Sequence, residues 1–270
     1  MFDSGVGGLT VLHELLVSLP SEDYLYLGDT ARFPYGDRSR EELRAFSIEI
    51  AEHLLELGTK LLVVACNAAS AAALDALEAH LDEHARGVDV IGVVKPATQL
   101  AVAGSRTGRI GLLATPATVA SGAYEHAVRA ADPHVHLESV PCPDLAPIIQ
   151  GGFPFDSHVV ETVRRYCAPL RAAEVDTVIL GCTHYPLVAP LLQRMLGRGV
   201  TLVSSGTGVA RSVERALASR ELMNEQLLEG TYRFQCTSDV ESFKALGTRF
   251  LQMPLDEVVH VELEAGVAAP

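Results

Sequence analysis

Residues 61–70 read LLVVACNAAS, and residues 177–186 read TVILGCTHYP. Each opens on a short apolar run bounded by polar residues, the pattern of a strand buried on both faces of a parallel sheet. Each run ends at a cysteine and leads into a helical segment. A strand covered on both faces needs helices on both sides, so these stretches predict an α/β fold built from parallel sheets.

The flanking sequence alternates in the same way. Residues Gly7–Pro20 carry Leu9, Leu12, Leu15, Leu16 and Leu19 at helical spacing and stop at Pro20. Asp23–Gly28 reads as a strand. Ser39 with Glu42 forms a capping box, after which Leu43, Phe46, Ile50, Leu54 and Leu57 mark one helical face. A helix over Ala68–Leu81 and a strand over Val90–Val94 follow. Beyond them, Arg109–Ala114, His136–Val140, Thr177–Gly181 and Val200–Val203 read as strands, with helices after Thr115, over His158–Ala173 and through Leu187–Leu196. The C-terminal part gives a helix, a strand at 231–236, a helix capped by Asp239 and a short strand at 258–263. Asp3 precedes Cys66 by 63 residues, and Thr115 precedes Cys182 by 67. This spacing predicts two similar α/β units that face each other, each with a cysteine at the carboxyl edge of its sheet, where open α/β sheets bind ligands.

Composition narrows the partners. The 270 residues carry 34 acidic and 21 basic side chains, a formal charge of −13. That balance argues against nucleic acid or an anionic membrane surface as main partner. No apolar run is long enough to span a bilayer, and no leader is evident, so a soluble, cytoplasmic protein is expected. The five cysteines, at 66, 142, 167, 182 and 236, fit neither a disulfide framework nor a closed zinc site. Lysine occurs only at 60, 95 and 244, and nothing near Lys95 resembles a phosphate-binding loop, as a pyridoxal enzyme would need. DSGVGG lacks both the P-loop lysine and a GxGxxG spacing. No metal and no cofactor are expected.

A thiol at a helix N-terminus is expected to ionise below its free value of about 8.5. Two such sulfurs facing one cavity suit proton transfer at both faces of a carbon, which inverts it. Asp3 and His184 are candidate proton partners for them. Ser4, Asn67, Ser70, Thr115, Thr118 and Thr183 are candidate donors to a carboxylate, and the polar loop Gly28–Ser39 can add backbone contacts. Simpler readings stand beside these: buried structural thiols, helix caps at Asp3 and Ser4, and a loop-holding histidine.

The motifs FDSGVGGLTVL (2–12), GDTARFPYG (28–36), ACNAAS (65–70), IGLLATPATVASGAY (110–124), LGCTHYPLV (180–188) and TLVSSG (201–206) run in order along nearly the whole chain. The sequence resembles the glutamate racemases of the cofactor-independent aspartate/glutamate racemase superfamily. The resemblance implies two α/β domains, residues 1–93 with 207–270 and residues 94–206, in a pseudo-twofold arrangement around an interdomain cleft. It implies Cys66 and Cys182 as catalytic bases, assisted by Asp3 and His184 respectively. It further implies a glutamate site lined by Asp3, Ser4, Tyr35, Gly36, Asn67, Ala68, Thr118, Thr183 and His184. D-glutamate for the cell-wall peptide would be the product, and a homodimer is a common state.

Departures from the family pattern are visible. Ala68 stands where a threonine is usual, Gln150 lies where a carboxylate is usual, and Lys95 and Ser204 replace acidic residues. The usual first-strand residues do not precede Phe2, so either a poorly held Asp3 or a misplaced start is expected. Aspartate is the rival substrate, since one methylene is hard to discriminate. An amino-acid-binding protein without turnover is the rival class.

Overall fold

In the first half of the chain the apolar runs become strands β1 (Phe2–Asp3), β2 (Tyr24–Gly28), β3 (Leu61–Val64) and β4 (Asp89–Gly92). The second half contributes β5 (Arg109–Ala114), β6 (His136–Pro141), β7 (Thr177–Gly181) and β8 (Thr201–Val203). Strands β9 (Tyr232–Cys236) and β10 (Val258–His260) follow. The computed structural model describes residues 1–152 and 156–263.

The strands form two all-parallel sheets, with orders β10-β9-β2-β1-β3-β4 and β6-β5-β7-β8. The order β2-β1-β3-β4 recurs as β6-β5-β7-β8, so the internal regularity seen in the sequence is a repeated topology. The C-terminal strands extend the first sheet beside β2. Central positions such as Phe2, Leu27, Leu62 and Val64 are fully buried, as strands covered on both faces must be.

Helices α1 (Leu9–Ser18), α2 (Arg40–Glu56), α3 (Asn67–His84), α4 (Val94–Gly104), α5 (Pro116–Ala120), α6 (Ala123–Ala131), α7 (Leu145–Gln150), α8 (Ser157–Ala172), α9 (Ala189–Leu196), α10 (Ser205–Ser219) and α11 (Val240–Leu251) connect these strands. The capping box read from sequence starts α2. The Ser39 hydroxyl accepts from the Glu42 amide at 3.2 Å, and the Glu42 carboxylate accepts from the Ser39 amide at 2.9 Å. At the start of α11, Asp239 accepts from the Ser242 amide at 2.7 Å.

Two helices, α4 and α7, occupy segments to which the sequence reading assigns no helix, and α4 begins at Val94, the last residue of a predicted strand. The fourth strand stops at Gly92, where a β-carbon would lie 2.3 Å from Ser70 Oγ. That hydroxyl accepts from the Val93 amide at 3.0 Å and turns the chain into α4. Pro147 inside the six-residue α7 hides its helical pattern. Tyr185–Val188 forms a 3-10 turn, and α9 begins only at Ala189.

The expectation of a poorly held Asp3 is corrected. Strand β1 is flanked by β2 and β3, and Asp3 is fully buried. Its carboxylate accepts from the Gly5 amide at 3.1 Å, and its carbonyl accepts from the Asp29 amide at 2.9 Å. Among the described residues, no helix is long and apolar enough to cross a membrane.

Candidate active site

Segments following β1, β2, β3, β5, β6 and β7 at their carboxyl ends line a cavity of about 30 Å³. Its wall comprises Ser4, Phe33, Pro34, Tyr35, Gly36, Cys66, Asn67, Ala68, Thr115, Ala146, Gly181, Cys182, Thr183 and His184. Both cysteines named from the sequence therefore line one space, each following an interior strand of a different sheet. The space holds about two waters. An amino acid is larger than this space.

Cys66 is the N-cap of α3. The amides of Ala69 and Ser4 and the Ser4 hydroxyl favour its thiolate, yet burial outweighs them and pushes the thiol up to about 12. Burial also raises the Cys182 thiol, against the pull of the His184 amide. The expected lowering by helix N-termini is thus corrected, because water exclusion costs the anion more than a few oriented amides return. The nearby Asp3 carboxylate adds to both shifts.

His184 is almost fully buried, between the rings of Phe33 and Phe250 at 5.6 and 5.1 Å. Its Nδ1 lies 3.9 Å from Cys182 Sγ, and its Nε2 lies 2.9 Å from Gln150 Oε1. An amide oxygen only accepts, so Nε2 carries the proton and Nδ1 turns its lone pair to the thiol. Burial lowers the imidazole to about 4. The unfolded chain, with a histidine near 6.5, takes up this proton first. The stability that neutral His184 contributes is therefore present above about pH 6.5 and is lost as pH falls toward 4. The full difference is about 3 kcal/mol. Urea unfolding between pH 4 and 7 should show this slope reduced in His184→Gln; an unchanged slope would refute the assignment.

The model of the Asp/Glu/hydantoin racemase family matches residues 10–213. The chain belongs to the Asp/Glu/hydantoin racemase family. It is an amino-acid racemase, an isomerase. It is 41% identical over 265 residues to a glutamate racemase of Bacillus cereus, covering 98% of this chain and 96% of that one. A glutamate racemase of Beutenbergia cavernae is 43% identical over 270 residues, covering 96% of this chain and 90% of that one. The crystal structure of glutamate racemase isoform RacE1 from Bacillus anthracis superposes with a TM-score of 0.91 at 37% identity, over 97% of this chain and 96% of that one. The Francisella tularensis glutamate racemase in complex with D-glutamate gives 0.89 at 31% identity, over 98% and 97%.

Other residues singled out in this racemase from its sequence fall in several places. Asp3 lies outside the cavity wall, yet it links the halves by accepting from Thr183 Oγ1 at 3.3 Å. Burial raises its carboxyl above the usual carboxylate range. Tyr35 lines the cavity, while its hydroxyl donates away from it to buried Asp29. Asp29 also accepts from Arg32 Nε at 2.5 Å and Thr237 Oγ1 at 2.8 Å, which ties loop 29–37 to the first sheet. Thr118 is not on the wall; Thr115 is, with its hydroxyl 3.0 Å from that of Thr118. Ala68 contributes a methyl to the wall, and Lys95 is exposed on α4.

Gly7 and Gly36 each allow a close approach between loops of the site. A β-carbon on Gly7 would lie 2.3 Å from Thr183 Oγ1, and one on Gly36 would lie 2.9 Å from the Thr115 β-carbon. Sequence reasoning missed Phe33, Pro34 and Ala146 as wall residues. The FPY segment held a signal for the first two, whereas Ala146 sits on the hidden helix α7. Among the described residues, no group of three or more His, Cys, Asp or Glu side chains could hold a metal ion.

Proposed function

We propose that the protein interconverts L- and D-glutamate by proton transfer between Cys66 and Cys182 at opposite faces of the α-carbon, without a cofactor. The observation that carries this reading is that the two cysteines, from equivalent positions of two sheets, line a single cavity. Similarity to glutamate racemases over nearly the whole chain supports glutamate as substrate. One sulfur acts as a thiolate and removes the α-proton, while the opposite thiol supplies a proton to the other face. The inverted product leaves the two sulfurs with exchanged protonation states.

Burial raises both thiols in the closed cleft, so the thiolate needs a cation beside it. The substrate's α-ammonium group supplies that charge as the halves close. His184 Nδ1 is placed to receive the Cys182 proton, and Asp3 is the charged group on the Cys66 side. The carbanion is stabilised by oriented donors in a water-poor cleft. We assign the enzyme to the cytoplasm, where its free thiols stay reduced, and its D-glutamate to cell-wall peptide synthesis.

The test is to incubate the protein with L- or D-glutamate in D2O and follow optical rotation and α-deuteration. Both enantiomers should converge on a racemic, α-deuterated mixture. Racemisation of aspartate with glutamate untouched would overturn the substrate assignment, and exchange with neither would overturn the mechanism.

A further inference from the structure

We infer that Tyr124 is a positioning residue, which orients the Asn67 amide so that its NH2 group faces the cleft as a donor to a substrate carboxylate. This rests on the proposed amino-acid site. Tyr124 lies at the start of α6 in the second half of the chain and is fully buried. Its hydroxyl donates to Asn67 Oδ1, in the first turn of α3, at 2.7 Å. Asn67 lines the cavity and is only 3% exposed.

A primary amide offers one acceptor oxygen and two N–H donors. Tyr124 engages the oxygen, and Asn67 Nδ2 has no hydrogen-bond partner among the described residues. A buried donor without an acceptor is costly, and a carboxylate in the cleft would remove that cost through a charge-assisted bond. Burial holds the phenol protonated well above its usual range, so it donates at every working pH. Without Tyr124 the amide is free to turn and present its oxygen, which repels a carboxylate.

The experiment compares wild type, Tyr124→Phe, Asn67→Ala and the double variant, with folding checked by circular dichroism. D-glutamate binding is followed by calorimetry, and kcat and KM are measured for both enantiomers. Tyr124→Phe should raise Kd and KM about 10-fold and change kcat by less than about 3-fold. It should add nothing further in the Asn67→Ala background. Equal losses in both backgrounds would mark a purely structural tyrosine and overturn the proposal, as would a wild-type Kd in Tyr124→Phe. Asn67→Asp keeps the acceptor for Tyr124 but removes the NH2 group, so it should lose about 10-fold or more in affinity. Wild-type affinity in that variant also overturns the proposal. Failure of the wild type itself to bind D-glutamate would sink the substrate reading, and this inference with it.

Discussion

Cys66→Ala and Cys182→Ala should each lower racemisation in both directions by about 10³-fold or more. The reason is microscopic reversibility. Whichever sulfur acts as base toward L-glutamate is the acid that protonates the carbanion when D-glutamate reacts. Loss of either one therefore blocks both directions. The remaining cysteine can still remove and return a proton at its own face. In D2O each variant should therefore exchange the α-hydrogen of one enantiomer without inversion, and the two variants should act on opposite enantiomers. Nuclear magnetic resonance of each enantiomer with each variant reads this directly. Wild-type racemisation in either variant, or exchange of the same enantiomer by both, would refute the two-base assignment. Both side chains are buried, and loss of the sulfur leaves a cavity smaller than that from a large aliphatic truncation. The fold should survive, so the effect belongs to chemistry.

Gly7→Ala should lower kcat by about 10²-fold or more while the protein stays folded. The new methyl would meet Thr183 Oγ1 at 2.3 Å and His184 Nδ1 at 2.6 Å. Contacts that short force one side to move. The side that moves carries Cys182 and His184, or else the end of β1 and the loop after it, which carry Asp3 and Ser4. Either displacement shifts one catalytic sulfur's surroundings relative to the opposite side of the cavity, and a shift of about 1 Å at a reacting centre is enough for this loss. Gly104→Ala is the control, because a β-carbon there meets no atom within 4 Å. That variant should keep wild-type kcat and equal or greater stability. Wild-type kcat in Gly7→Ala would show that the two loops can part without consequence for the reaction.

Much of this architecture is legible in local sequence. LLVVA and TVILG are too short and too apolar to be anything but strands covered on both sides, and the Ser39–Glu42 box marks a helix start to the residue. The segments that mislead are those with competing local signals. Val90–Val94 looks like strand throughout, but the hydroxyl of Ser70, from another element, ends it at Gly92. Proline at 147 masks α7, and with it the wall residue Ala146. Of the two threonines named after β5, Thr115 lines the cavity and Thr118 lies behind it, with the hydroxyls 3.0 Å apart.

By itself, the sequence determined the α/β class, the repeat of two cysteine-bearing strand ends and the family, because each rests on hydrophobic period and on motifs contiguous in the chain. Only the tertiary structure decided how the thiols are poised. Their ionisation depends on water exclusion by both halves together, and burial proves stronger than the helix start that local sequence makes visible. The same holds for the bonds from Thr183 to Asp3 and from Tyr124 to Asn67, which join residues 180 and 57 positions apart. Such pairings depend on how two sheets are brought face to face, which no local pattern encodes.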